Sequence, residues 1–268
     1  MKTEELVAKV RAEAPQVTLR SPFGGESKRW IVEGDVGLVE RELLPYAAQR
    51  IELAERASDG DQAAKRRGLI AIESGGKILR WKPGTVLSYC VARATFGSDA
   101  DHADVVRGMK LATAAWEGMC GVKFQYKSEL DRKDISLGEV SFPVVRQNGG
   151  GTTIAMAFFP NSPIEERLVY VFDGFYSKAP GSFDPTGVLR HELGHALGFR
   201  HEHIVPEAPD YFVPEDTNHV HRLTDYDPQS VMHYVGPGVG NPKLEFTASD
   251  RVGAVDVYGR PHSQFDSR

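Results

Sequence analysis

An α+β fold behind a distinct N-terminal segment is what this 268-residue chain predicts. Three observations carry that reading. After Pro83-Gly84 the apolar pattern runs strand, helix, strands, helix. A loop-rich tail with Pro206, Pro209, Pro214, Pro228, Pro237 and Pro242 follows the second helix. The first 80 residues obey a different pattern, so the chain divides into 1–80 and 81–268.

Within the N-terminal segment, residues 3–13 place Leu6, Val7 and Val10 on one face of a short amphipathic helix. The Pro/Gly-rich SPFGGESKR reads as a joint, and WIVEGDVGL after it as extended chain. Residues 39–57 alternate charge and apolarity at helical spacing, with Pro45 dividing or kinking them. The polar SDGDQAAKRRG reads as an exposed loop with a basic cut site at Lys65-Arg66-Arg67. GLIAIESGGKILRW then gives two apolar runs about a Ser-Gly-Gly turn, a hairpin.

In the second part, TVLSYCVARATF alternates like a half-buried strand. The acidic DADHAD run starts a helix whose inward stripe is Val106, Met109, Ala112 and Trp116, with Gly121 at its end. VKFQYK, DISLGEV, TTIAMAFF and RLVYVF supply four more strands, making five. SFDPTG leads into the second long helix, VLRHELGHALGF.

Composition excludes more than it assigns. Lys and Arg number 32 against 37 Asp and Glu, a net charge of −5, so nothing favours nucleic acid or an anionic membrane as partner. No apolar stretch approaches the roughly 20 residues of a membrane span. The start MKTEELVAKVRAEAP has no apolar core of a Sec signal, which leaves a cytoplasmic location or secretion by another route. Cys90 and Cys120 exclude a disulfide scaffold and a cysteine-built zinc site, and either one bridge or two buried thiols fits them.

Seven of the nine histidines lie between positions 191 and 233. The informative run is His191-Glu192-Leu193-Gly194-His195-Ala196-Leu197-Gly198-Phe199-Arg200-His201-Glu202. Positions i and i+4 share a helix face, so His191 and His195 can present ring nitrogens to one point. Gly198 lets the chain leave the helix through a left-handed turn, and His201 can swing back as third ligand. Three neutral imidazoles with one open position is the pattern of a catalytic zinc site holding one Zn2+. Glu192, next to His191, is placed to take a proton from water there. H-E-x-x-H-x-x-G-x-x-H arises by chance in a chain this long about once in 10⁵. His203 is the weaker competitor for the metal, and His219, His221 and His233 read as loop or cleft-wall residues.

That motif resembles the zinc signature of the metzincin metalloproteases. Ser230-Val231-Met232-His233-Tyr234 is similar to their Met-turn, an apolar thioether floor beneath the imidazoles. The resemblance, over roughly residues 80–260, implies a mixed five-stranded twisted sheet, two long helices, a cleft and a loop-rich C-terminal subdomain. It implies a zinc endopeptidase whose peptide substrate adds to the TTIAMAFF edge strand. Gly-Phe-x-His-Glu followed by Ser-x-Met-His-Tyr is most similar to the astacin branch. By that resemblance Tyr234 is a labile zinc ligand that helps stabilise the oxyanion. Two departures stand beside it: His203-Ile204-Val205-Pro206 replaces the branch's Arg-rich continuation, and the two cysteines do not clearly reproduce its pairing. His-Glu-Leu-Gly-His-Ala-Leu-Gly would also suit a matrixin, a family without that tyrosine.

Astacin zymogens carry Phe-x-Gly-Asp, whose Asp ligates zinc; Gly34-Asp35 matches its second half without the Phe. The resemblance thus makes Asp35 an inhibitory ligand and residues 1–80 a pro-like segment, with Glu202 the partner of a freed N-terminus. A zinc-bearing binding protein permanently capped by that segment is the alternative, and a zinc hydrolase of non-peptide substrates a third.

Overall fold

The structure, a computed structural model, describes residues 2–32, 34–44, 46–48, 69–74, 77–131, 135–177, 179, 182–204, 208–209 and 220–261. Helix α1 (Thr3–Glu13) leads into an antiparallel sheet of β1 (Gln16–Arg20), β2 (Glu26–Val32) and β3 (Val36–Leu38). The segment expected to be extended, WIVEGDVGL, is therefore a hairpin with Gly34-Asp35 at its tip, and SPFGGESKR spans the preceding turn. Strands of five, seven and three residues carry too short an alternation to show either turn. Residues 40–44 and 46–48 are helical, whereas Pro45, the rest of the expected helix and the Lys65-Arg66-Arg67 loop lie outside the described residues.

The expected hairpin forms as β4 (Ile70–Ser74) and β5 (Lys77–Ile78). Its first strand lies between β11 (Phe199–Arg200) and β12 (Val220–Arg222), in the order β11-β4-β12. Ile70 and Ala71 thus pair with chain that directly follows the second long helix of the histidine motif.

The main sheet holds β6 (Val86–Val91), β7 (Lys123–Tyr126), β8 (Phe142–Arg146), β9 (Ala155–Met156) and β10 (Val169–Val171) in the order β7-β6-β8-β10-β9. All pairs are parallel except β9 on β10, so the sheet is mixed and β9 is its edge. One expected strand is displaced. Residues 135–140 of DISLGEV turn instead, around Gly138 at φ 88°, and the strand is the next run, Phe142–Arg146. Pro143 disguised it, because proline cannot donate to a ladder, yet it sits opposite Cys90 in the sheet centre.

Side chains alternate between two cores, as the twofold period of a strand requires. Leu87, Tyr89, Val91, Val144, Ala155, Val169 and Val171 face α2 (Asp99–Met119) and α3 (Pro185–Ala196). Met109, Ala112 and Trp116 of the expected stripe are fully buried there, with Val106 packed at the margin. Asp184 caps α3, its Oδ2 accepting the Gly187 N–H at 2.7 Å, and Pro185 opens it where the missing N–H costs nothing. A further helix, α4 (Ala248–Tyr258), closes the loop-rich tail from a Thr247/Asp250 capping box. Its signature, Thr-x-x-Asp, went unread among the prolines.

Cys90, Val145, Met156, Tyr170 and Phe172 point to the other face and pack against Leu19 and Ile31 of the N-terminal sheet. Gln147 clasps β1 at two atoms, accepting from the Arg20 N–H (3.1 Å) and donating to the Thr18 carbonyl (3.4 Å). Glu166, largely buried, pairs with Arg29 at 3.4 Å and with Arg41. The N-terminal segment therefore covers the second face of the sheet. Cys90 and Cys120 are both buried and are not joined by a disulfide. No helix among the described residues is long and apolar enough to cross a membrane.

Leu19 is 1% exposed at this junction. Leu19→Ala should lower the unfolding free energy by about 2–4 kcal/mol in urea titration, the cost of a buried leucine, because it seats the sheet's second core. An effect under about 0.5 kcal/mol would mean that the N-terminal sheet is only loosely applied.

Candidate metal centre and cleft

Helix α3 carries His191, Glu192 and His195 on its buried side. Gly198 then takes φ 96°, and a Cβ there would lie 2.4 Å from the Leu79 carbonyl oxygen, so only glycine turns the chain this tightly. The turn delivers His201, fully buried, back over the helix. The imidazoles of His191, His195 and His201 and the carboxylate of Asp35 bring one ligand atom each within 4.8 Å of one another.

The separations have the scale of a coordination shell. His195 and His201 Nε2 are 3.1 Å apart, and Asp35 oxygens lie 3.1 Å from His201, 3.4 Å from His191 and 3.8 Å from His195 Nε2. Four ligands at about 2.0–2.1 Å around a tetrahedral zinc stand roughly 3.3 Å apart. The outward nitrogens are committed: Nδ1 of His191 meets the Val231 carbonyl at 2.8 Å and Nδ1 of His195 the Phe199 carbonyl at 2.9 Å. A carbonyl only accepts, so Nδ1 carries the proton and Nε2 offers a lone pair inward. Among the described residues, His191 Nε2 and Asp35 Oδ1 have no hydrogen-bond partner. Lone pairs and a carboxylate facing one point repel unless a cation lies between them. The donor set fits zinc.

Electrostatics follow from burial and crowding. Burial alone would raise the Asp35 carboxyl, but His201 and the other imidazoles hold it well below the usual carboxylate range. Glu192 is pushed well above its ordinary value, by burial first and by the neighbouring Asp35 second, although an Ala157 N–H bonds to it. His195 is driven well down by burial and by His201. Burial pushes Glu202 up to about 8, with Oε1 accepting the Asp227 N–H at 2.8 Å.

The Met-turn residues lie under the site. Met232 is fully buried, and its sulfur rests against Gly194 between the two helical histidines. Tyr234 packs against His201 at 4.5 Å and His203 at 4.4 Å between ring centroids. His203 lies outside the four-residue group, stacked on His201. His233 lines the cleft and meets the Tyr226 hydroxyl at 2.8 Å. His219 and the His221 side chain lie outside the described residues. A cavity of about 250 Å³ opens beside the imidazoles, lined by Ile154, Phe183, Val188 and Leu244 with Glu192 and Tyr234.

Asp35 arrives on the β2–β3 tip. Gly34, at φ 89°, passes so near Tyr234 that a Cβ would lie 2.7 Å from the phenol oxygen. Two residues of this site were not anticipated. Thr153 donates from Oγ1 to the Gly34 carbonyl at 2.8 Å. Asp250, on α4, accepts from Ser230 Oγ (2.6 Å) and from the Val231 N–H (2.9 Å), fixing the Met-turn whose Val231 carbonyl holds His191. The Thr247–Asp250 capping box could have pointed to Asp250; nothing local marks Thr153.

The matrixin family model matches residues 80–236, more than half of the chain. Matrix metalloproteinase-A of Caenorhabditis elegans is 26% identical over 162 residues, 59% of this chain and 30% of that protein. High choriolytic enzyme 1 of Oryzias latipes is 38% identical over 64 residues, 18% of this chain and 23% of that protein. The chain thus spans less than a third of the length of these relatives. Among solved structures, myroilysin aligns at TM-score 0.49 and 18% identity over 71% of this chain and 98% of the other. High choriolytic enzyme 1, a hatching enzyme zinc-protease of Oryzias latipes, aligns at 0.44 and 20% over 71% and 99%. With the matched span holding the whole histidine motif and the Met-turn, the chain belongs to the matrixin family, within the metzincin zinc metalloproteases.

Proposed function

We propose that this chain is a zinc-dependent endopeptidase held latent by its own N-terminal segment. The observation that carries the reading is the convergence of three Nε2 atoms and Asp35 at the floor of a cleft that also contains Glu192. His191, His195 and His201 would hold one zinc ion. Bound there, zinc supplies Lewis acidity, acidifying water and polarising a carbonyl.

The chain's own groups do the rest. Glu192 takes the proton of the attacking water as its oxygen bonds to the scissile carbonyl carbon, and returns it to the amine nitrogen as the C–N bond breaks. The Tyr234 phenol donates to the developing oxyanion. Ala155–Met156, at the open edge of the sheet, offers main-chain groups to an extended peptide. Asp35 occupies the place a substrate needs, so the chain is silent until the β2–β3 tip leaves. Within the metzincins we read the site as astacin-like, on Tyr234 after the Met-turn and on the Gly34-Asp35 tip. The matrixin match and the choriolytic enzymes meet at the metzincin level.

A permanently capped zinc-binding protein is the second reading, favoured by the N-terminal sheet's share in the core through Leu19 and Ile31. Hydrolysis decides between the two.

Elemental analysis should find one zinc per chain. In the unlatched Asp35→Ala form a chelator should end cleavage of casein, and in the full chain it should lower the melting temperature, since free zinc at about 1,000 times its Kd stabilises by about 4 kcal/mol. Added to Asp35→Ala, Glu192→Ala should lower kcat by about 10²–10⁴-fold with zinc content unchanged; zinc retained without hydrolysis in every form would favour the binding protein. Asp35→Ala and a form beginning near residue 68 should both exceed the full-length chain in peptidase activity. Equal activity in all three rejects latency.

A further inference from the structure

The β2–β3 tip shows how this cleft grips a main chain. The Gly34 carbonyl accepts from Thr153 Oγ1 at 2.8 Å, while Asp35, the next residue, faces His191 and His201 at 3.4 and 3.1 Å. Thr153 thus clasps a carbonyl one residue away from the group at the imidazoles. It is 5% exposed and set on a turn fixed by its own N–H, which donates to the Gly150 carbonyl at 2.9 Å. Its hydroxyl makes that one side-chain hydrogen bond among the described residues. Ile154, Phe183, Val188 and Leu244 line the same cavity as its apolar wall, with Asp35, His191, Glu192 and Tyr234 as its polar one.

A buried hydroxyl whose acceptor departs is left unsatisfied, and another carbonyl at the same place restores the bond. Two residues along the chain, Ala155 begins the edge strand. A peptide extended along that edge carries main-chain carbonyls past Thr153.

We propose that Thr153 is a substrate-binding residue: once the N-terminal tip has left, its hydroxyl donates to a main-chain carbonyl of the bound peptide beside the scissile bond. This rests on the reading of Asp35 as the latch. The same hydroxyl therefore serves the latent and the working states in turn, and an amide carbonyl is its ligand in both.

The test uses the full chain, unlatched by Gly34→Val with Asp35→Ala, since a side chain at 34 collides with Tyr234. Adding Glu192→Ala stops hydrolysis, so the affinity of a peptide that the unlatched enzyme cleaves can be measured by calorimetry on the zinc-loaded protein. Thr153→Val should weaken that affinity about five- to tenfold, the worth of one neutral hydrogen bond, and Thr153→Ser should restore it. In the unlatched enzyme with Glu192 intact, Thr153→Val should raise KM by a similar factor with kcat little changed. With residues 34 and 35 native, it should speed amide exchange over residues 30–38. Equal peptide affinities, or no binding by any unlatched form, overturn the proposal. Unlatching without gain in activity overturns instead the reading of Asp35, a separate result because affinity and amide exchange are read without turnover.

Discussion

Three imidazoles aimed at one point are held there from behind. His191 and His195 each spend Nδ1 on a main-chain carbonyl, of Val231 and Phe199, and this leaves Nε2 as an inward lone pair. The Val231 carbonyl is itself placed by Asp250, which binds the Val231 N–H, Ser230 Oγ and the Thr247 N–H. Burying that carboxylate raises its pKa, a cost offset by those bonds and by the capping of α4. The third histidine is tied into the same network, because the Glu202 N–H donates to the Met232 carbonyl at 2.8 Å. The active-site helix, the Met-turn and the last helix thus form one connected frame, and the rest of the catalytic part supports it.

The N-terminal segment meets that frame as a folded unit. Val7, Leu43 and Ala47 make a small core of their own, with Trp30 and Leu38 against it. Leu19 and Ile31 continue into the core on the far face of the main sheet, and Glu166 adds the charge of Arg29 and Arg41 to the seam. These contacts bring the β2–β3 tip to the cleft with little freedom, so one hairpin aims both the Gly34 carbonyl and the Asp35 carboxylate. The tip at the cleft and the cover of the sheet's second face belong to one folded segment but lie at different parts of it, so loosening the tip need not expose the apolar sheet face.

The motif, the helices and most strands were legible because their signals are local. H-E-x-x-H needs only the helical repeat, Gly198 only its positive φ, and the stripe through Met109, Ala112 and Trp116 only a 3.6-residue period. Where the sequence misled, the deciding forces were distant. Pro143 stands in a central strand opposite Cys90 although it has no N–H to give the ladder, and residues 135–140 turn at Gly138 where alternation suggests a strand. SPFGGESKR reads as a joint and WIVEGDVGL as extended chain, yet β1 and β2 pair in register from Gln16↔Trp30 to Arg20↔Glu26.

The sequence by itself determined the chemistry on offer: three histidines and a glutamate at helical and post-helical spacing, a methionine turn, and a Gly-Asp pair upstream. Only the tertiary structure decided that Asp35 stands 3.1 Å from His201 and that Thr153 holds the carbonyl of the residue before it. The reason is physical. Ligand spacing along one helix is set by backbone geometry, whereas contacts across more than a hundred residues depend on how two sheets pack, and no local pattern records that.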